Sequence, residues 1–461
     1  MIKEYYSQLK KQIKSRLGDQ WWYTLILFVA LQFGSVINAF IGLWLVPKYV
    51  PQEELGALLP LAQVGLALGI PLSIFCGTLS KFVNKYATHG EYGKLKALLR
   101  DTGLLTLFLF MGMMVYSRYV IQPVFERLRV AEGSLVLLIV FSGIVTSVTP
   151  VTNMALQGLK SFRLLAGIGL IMAPIRLGVM LITLPIRGIS GYFVGQIMPN
   201  LLSIILSAFG LRHIFARTIK AESYWRSDGG AILKYMIPYG LYILLGTAQG
   251  TCETFVIRHR LPDFESAAYY MISRFAEIGA MAGMAIIFVM FPYISERHEK
   301  GTSSNRRLWQ SMAGSLFAGL VIAIIFWQMG SWMFSLFLPW HPYMPFVKQM
   351  VLLTVLQAVR ISGVCFVTHE VACNRFGFLK YYGSLLVLEI VFLYGITGFG
   401  FFAPFIPSEW IESLRIFNPC RLDFVLMVMM ASTLLGFMMV LVHAFVSGFH
   451  LKEHSCDLPA D

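Results

Sequence analysis

The stretch ETFVIRHRLPDFESAAYYMISRFAEIGAMAGMAIIFVMFPYISERHEKG, residues 253–301, decides the fold. Within it, residues 267–294 form a run of 28 with only two charges, Arg274 and Glu277. About twenty helical residues cross ~30 Å of hydrocarbon, so this run is long enough to span a bilayer. Both flanks, 258–265 and 296–300, are rich in charge, as the ends of a span must be where the chain meets water. Polar and apolar residues do not alternate here, which excludes a barrel strand and leaves a helix.

Working outward, the same ruler places spans near 24–46, 57–80, 102–121, 134–156, 164–184 and 189–211. A second set follows near 236–257, 267–294, 311–338, 346–370, 381–402 and 422–447. The composition agrees. Of 461 residues, 57% are hydrophobic and 13% charged, about half the charged share that a soluble surface carries. The predicted fold class is all-α: a polytopic membrane protein of about 12 transmembrane helices in two six-helix lobes. No connecting segment is long enough for a separate soluble domain.

The net charge of +13 invites a nucleic-acid reading, but the Lys and Arg lie in short loops, where they set topology. With the N-terminus inside, cytoplasmic segments hold 24 of the 37 Lys and Arg, and external loops with their flanking span ends hold 10. The bias places both termini in the cytoplasm and supports an even number of spans. The basic N-terminal stretch precedes a full-length span, so it does not read as a cleavable signal. The six cysteines include no C-x-x-C and read as small packing residues.

A constant offset of 211 sets Pro51 on Pro262, Glu54 on Glu265 and Gly90 on Gly301. Six spans return the chain to its starting side, so the halves read as parallel repeats. The charged loop 212–235 then links an N-terminal lobe, 1–222 with its basic tail, to a C-terminal lobe, 223–461.

A charge within a span costs roughly 2.5–3.5 kcal/mol, so each asks for a reason. The candidates are Arg176, Glu253, Arg274, Glu277, Arg360 and Glu389, all but the first in the second half. Arg274 and Glu277, three apart, share a helix face and can pair locally. Glu253, near an external span end, can snorkel. Arg176 and Arg360 sit near mid-span without a neighbouring acid, and point either to a hydrated cavity or to interhelical hydrogen bonds. The first half offers amides instead (Gln32, Asn38, Gln63, Asn153, Gln196, Asn200), which serve as ligand groups or as interhelical glue. Pro60, Pro71, Pro174, Pro199, Pro238 and Pro292 permit kinks.

There is no Walker A sequence, dinucleotide fingerprint or H-E-x-x-H, so neither cofactor nor metal is expected. The tail group His450, His454, Cys456 and Asp457 resembles a metal cluster in composition only.

The opening segment is also similar to the span 7–8 region of polysaccharide flippases, members of the multidrug/oligosaccharidyl-lipid/polysaccharide (MOP) exporter superfamily. The shared pattern is an acid (Glu253), a short loop at 261–265, Tyr269 or Tyr270 followed by Arg274, and Phe291–Pro292 before a charged loop. The stretch NAFIGLWLVPKYVPQEELGALLPLAQVG resembles the family's first hairpin, and KFVNKYATHGEYGKLKALLRD its basic loop after span 2. Two departures stand out: Glu253 replaces the commoner Asp, and spans 1 and 2 lack the deep basic residue of lipid-linked peptidoglycan precursor flippases.

The resemblance implies a non-enzymatic flippase of the bacterial cytoplasmic membrane that moves a polyprenyl-pyrophosphate-linked oligosaccharide outward by alternating access. In that reading Arg176, Arg274 and Arg360 contact the anionic cargo, and Glu253, Glu277 and Glu389 balance charge or carry a coupling ion. The expected partners are the lipid-linked oligosaccharide, membrane lipid and glycan-assembly enzymes, without nucleic acid. The alternatives are a cation-coupled multidrug exporter of the same superfamily, and a membrane enzyme of glycan assembly such as a polymerase or acyltransferase. Such enzymes commonly carry a catalytic external loop, whereas loop 403–421 holds Glu409, Glu412 and Arg415 but no His.

Overall fold

The computed structural model describes residues 19–120, 133–216, 219–299, 304–337, 343–396 and 422–454. The basic stretch 1–18, the loop 403–421, and the tail residues Cys456 and Asp457 lie outside the described residues.

The first half begins with α1, Asp19–Phe40, which passes through a π-helical turn, Ile41–Leu45, into α2, Val46–Tyr49. The short α3, Gln52–Leu55, leads to α4, Leu58–Leu68, and α5, Ile70–His89. Then come α6 (Tyr92–Val120), α7 (Gly133–Gly158) and α8 (Phe162–Phe215). The second half comprises α9 (Trp225–Arg260), α10 (Asp263–Glu299), α11 (Asn305–Phe337), α12 (Val347–Ala372), α13 (Leu379–Ile396) and α14 (Leu422–His454). With α4 and α5 forming one broken span and α8 forming two, the helices match the twelve expected spans, and the chain is a multi-pass membrane protein.

Glycine rather than proline sets most of the breaks. The 61° bend between α4 and α5 falls at Gly69, where a Cβ would stand 1.8 Å from Ser147 Oγ. Pro71 follows as the second residue of α5, a position that tolerates its missing N–H. In the 54-residue α8 the expected turn between spans is a single residue, Gly188, at φ 51° and ψ −127°. That conformation is open only to glycine. The 41° bend of α10 lies between Met281 and Gly283, a full ten residues before Pro292, so the proline expectation fails there.

The outer face of the bundle is apolar: Phe108, Ile186, Phe317, Trp327 and Met438 are all exposed. In a soluble protein this would be a liability; here lipid covers it. Inside, α4 and α7 meet at Gly65 and Gly143, where a Cβ on Gly65 would lie 2.9 Å from Gly143 Cα.

The two halves meet at both ends. At one end the first hairpin touches its counterpart in the second half: a Cβ on Gly56 would stand 2.7 Å from Ser266 Oγ. At the other end, which the Lys/Arg bias assigns to the cytoplasm, Lys81 donates to the carbonyl of Ala372 at 3.3 Å and to Asn374 Oδ1. Lys85 pairs with Asp228 at 2.8 Å, and Lys160 pairs with Glu296. The two halves are therefore joined by contacts at both ends.

Candidate transport site

Four helices of the second half converge on one guanidinium. Arg360, in the middle of α12, donates from Nη2 to Glu253 Oε1 at 2.6 Å and from Nη1 to Glu253 Oε2 at 3.2 Å. The same Nη2 reaches Glu389 Oε1 on α13 at 3.2 Å, and Nε donates to Thr433 Oγ1 on α14 at 3.0 Å. Gln249, one turn before Glu253 on α9, donates to Glu389 Oε2 at 2.6 Å. Planar guanidinium geometry suits this fork on a carboxylate.

Glu253 is 5% and Glu389 3% exposed. Snorkelling is thus excluded for Glu253, whose side chain turns inward. A buried ion pair persists only if its remaining donors and lone pairs are satisfied, and Gln249 and Thr433 do this. If both carboxylates are ionised, the group holds two negative charges and one positive. A cavity of about 40 Å³ adjoins it, lined by Gln249, Arg360, Tyr382, Glu389, Ser432 and Thr433 among others. That is room for roughly three waters.

The other in-span charges lie in a second group. Arg274 pairs with Glu277 on its own helix at 2.8 Å, as their spacing predicts. Its guanidinium lies over the Tyr270 ring, 5.1 Å from the centroid. Its stem packs on the π-helical turn of the first half: a Cβ on Gly42 would lie 3.1 Å from Arg274 Cδ. Arg176 on α8 donates to Asn38 Oδ1 on α1 at 3.1 Å. Tyr192 is within electrostatic reach of both arginines. Buried Nε atoms of Arg176 and Arg274, Nε2 of Gln32 and the hydroxyl of Tyr270 have no hydrogen-bond partner among the described residues.

The structure therefore sorts the sequence candidates differently from the expectation of three arginines at one cargo. Arg360 is joined to Glu253 and Glu389 within the second half, while Arg176 and Arg274 come from opposite halves towards Tyr192. The amides behave mostly as glue: Asn153 accepts from Ser207 at 2.9 Å, and Asn200 donates to Thr146 at 3.0 Å. Sequence reasoning missed Gln249, Thr433, Tyr382 and Tyr192. Gln249 was within reach, since it stands four residues before Glu253 and so shares its face. The other three carry no signal without tertiary contacts.

This arrangement of two six-helix lobes, with polar groups buried inside, resembles the fold of solved MATE transporters. Solved structures match it along nearly the full length. The Vibrio cholerae MATE transporter VcmN, in a mutant form, aligns with TM-score 0.64 at 14% identity, covering 96% of this chain and 98% of its own. An outward-facing multidrug resistance MATE family transporter of the MOP superfamily aligns at 0.62 and 13%, covering 93% and 97%. A MOP superfamily transporter from Pyrococcus furiosus, described as having a binding pocket of reverse polarity, aligns at 0.65 and 13%, covering 95% and 98%. No family model matches the sequence, and no curated protein matches it.

Proposed function

We propose that this protein is a cation-coupled secondary transporter of a bacterial cytoplasmic membrane, an exporter that works by alternating access with both termini in the cytoplasm. Its lobes divide at residues 222 and 223, and Glu253 and Glu389, balanced by Arg360, form the coupling site. The observation that carries this reading is the buried pair of carboxylates sharing one guanidinium. Unlike charges at such depth are tolerated when paired, but the surplus negative charge calls for a cation. A proton is the simplest, because two nearby carboxylates ionise together only at high cost. Binding and loss of that cation change which helix positions are electrostatically favourable, and so bias the two states of the bundle. The shared fold of the MATE transporters supports the same reading. The test is dye accumulation inside inverted vesicles under a proton gradient, with ethidium as probe. Glu253→Gln and Glu389→Gln are expected to abolish gradient-driven transport at unchanged protein level; full transport in both variants overturns the assignment.

A second reading, flipping of a lipid-linked oligosaccharide, is favoured by one observation: Arg176 and Arg274, from opposite halves, bring two guanidiniums with unused Nε donors within electrostatic reach of Tyr192. Pyrophosphate is the natural match for such donors. Restoration of surface glycan in a flippase-deficient strain, and its loss in the Arg176→Ala/Arg274→Ala variant, would select this cargo over a cationic drug.

A further inference from the structure

Six residues of α9 recur at helical spacing: Tyr235, Tyr239, Tyr242, Gly246, Gln249 and Glu253. Steps of four and three keep all of them on one face of the helix. The face is polar along most of its length, which a membrane helix does not maintain without cause. Its lower members form a continuous file. The Tyr235 and Tyr239 rings stack with centroids 5.7 Å apart, Tyr239 and Tyr242 are 6.3 Å apart, and Tyr242 lies 6.1 Å from Tyr382 of α13. Tyr382 in turn lines the cavity beside Glu389 and Arg360. At Gly246, between Tyr242 and Gln249, nothing among the described residues beyond the helix's own backbone lies within 4 Å of where a Cβ would stand, so the face is open there. The Tyr235 hydroxyl is buried without a hydrogen-bond partner among the described residues, in a residue 3% exposed.

The far end of the file is covered. Lys81 of the first half holds its ammonium 4.6 Å from the Tyr235 ring centroid while donating to Ala372 and Asn374 of the second half. Lys81 is 2% exposed. The contact that joins the halves at this end also seals the tyrosines from the water beyond.

We propose that the tyrosine face of α9, with Tyr382, is the path by which a proton leaves the Glu253–Glu389 pair for the cytoplasm, and that Lys81 is its stopper. A phenol hydroxyl both donates and accepts, so water between successive hydroxyls can carry a proton along the file. The proton passes from the carboxyl to water beside Tyr382, and onward past Tyr242, Tyr239 and Tyr235; the carboxylate and its ion pair with Arg360 are restored. The charged and titratable groups facing the pair are Arg360 of α12, Tyr382 of α13 and Tyr269 of α10. Tyr269 is in turn within electrostatic reach of Arg274 and Glu277 of its own helix. The proposal rests on the coupling reading above.

The test uses the full chain in proteoliposomes, with protons as the only probe. A pH step is applied on the cytoplasmic side, and the carboxyl infrared band that disappears in Glu253→Gln/Glu389→Gln is followed in time. Tyr242→Phe/Tyr382→Phe is expected to slow that band at least tenfold while leaving its final amplitude unchanged. Lys81→Met is expected to speed it. A merely structural role of the tyrosines would move the amplitude or the fold, not the rate alone, and could not give effects of opposite sign. Unchanged rates in the double Phe variant overturn the path but leave the coupling site standing. Absence of any band assignable to Glu253 or Glu389 overturns both.

Discussion

Arg360 holds Glu253 in a two-pronged ion pair, at 2.6 and 3.2 Å, across two helices and 107 positions of sequence. The Glu253 side chain is buried and that of Arg360 is 19% exposed, and the same guanidinium also serves Glu389. Its value to the protein follows from what remains when one member is taken away.

Arg360→Ala leaves two carboxylates facing each other with no cation. Breaking a buried pair from one side typically costs about 3–5 kcal/mol. Thermal unfolding in detergent is expected to show a clear drop in Tm for Arg360→Ala. The triple variant with Glu253→Gln and Glu389→Gln is expected to recover a substantial part of it. Equal stability of single and triple variants would mean that the three groups do not act as one unit.

Arg274 and Arg176 provide the test of cargo. Arg274 is tied to Glu277 three residues on along its own helix, at 2.8 Å, and a pair within one helix adds only about 0.2–0.5 kcal/mol. Arg176→Ala/Arg274→Ala is therefore expected to keep its Tm within a few degrees. Binding of inorganic pyrophosphate, measured by calorimetry, is expected to fall at least tenfold. Binding of ethidium is expected to be unchanged or tighter, because two positive charges are gone.

The glycines divide into two kinds, and substitution separates them. Gly65 and Gly143 bring the backbones of α4 and α7 into contact. Gly143→Leu must push the helices apart, at the upper end of the ~1–3 kcal/mol of ordinary overpacking. Gly103, with nothing within 4 Å of its Cβ position, is expected to accept Ala without loss. Yield and Tm of the two variants after purification check this.

Much of the architecture was legible because bilayer thickness is a fixed ruler. The run at 267–294 and the twin loops at 47–56 and 258–266 could be placed from hydropathy and charge alone. Individual charges were legible too: burial in lipid is costly, so Arg176, Arg274, Arg360, Glu253, Glu277 and Glu389 stand out wherever they fall. Their grouping was not. Nothing local ties Arg360 to Glu253 or Glu389, and the choice between a cargo site and an ion pair depends on how α9, α12, α13 and α14 pack. The bends escaped for a similar reason. Gly69 and Gly188 look ordinary in a chain with 40 glycines, and their need for a missing Cβ arises only from a neighbour such as Ser147 or from φ itself.

The closure of the halves at the Lys81 end yields the last prediction. Lys160, at φ 55° in the turn between α7 and α8, pairs with Glu296 near the end of α10. The pair joins the two halves, and its side chains are 27% and 22% exposed, so screening leaves it about 1 kcal/mol at most. That is small against global stability but large against an equilibrium between two open states, where each 1.4 kcal/mol is tenfold. Lys160→Glu places like charges across the gap and is expected to shift the bundle towards the state open at this end. A cysteine introduced at Ser80, 1% exposed here, is expected to react faster with a maleimide in that background. The swap Lys160→Glu/Glu296→Lys restores attraction and is expected to slow labelling to the original rate. If the single and swapped variants label alike, the contact does not bias the opening of this end.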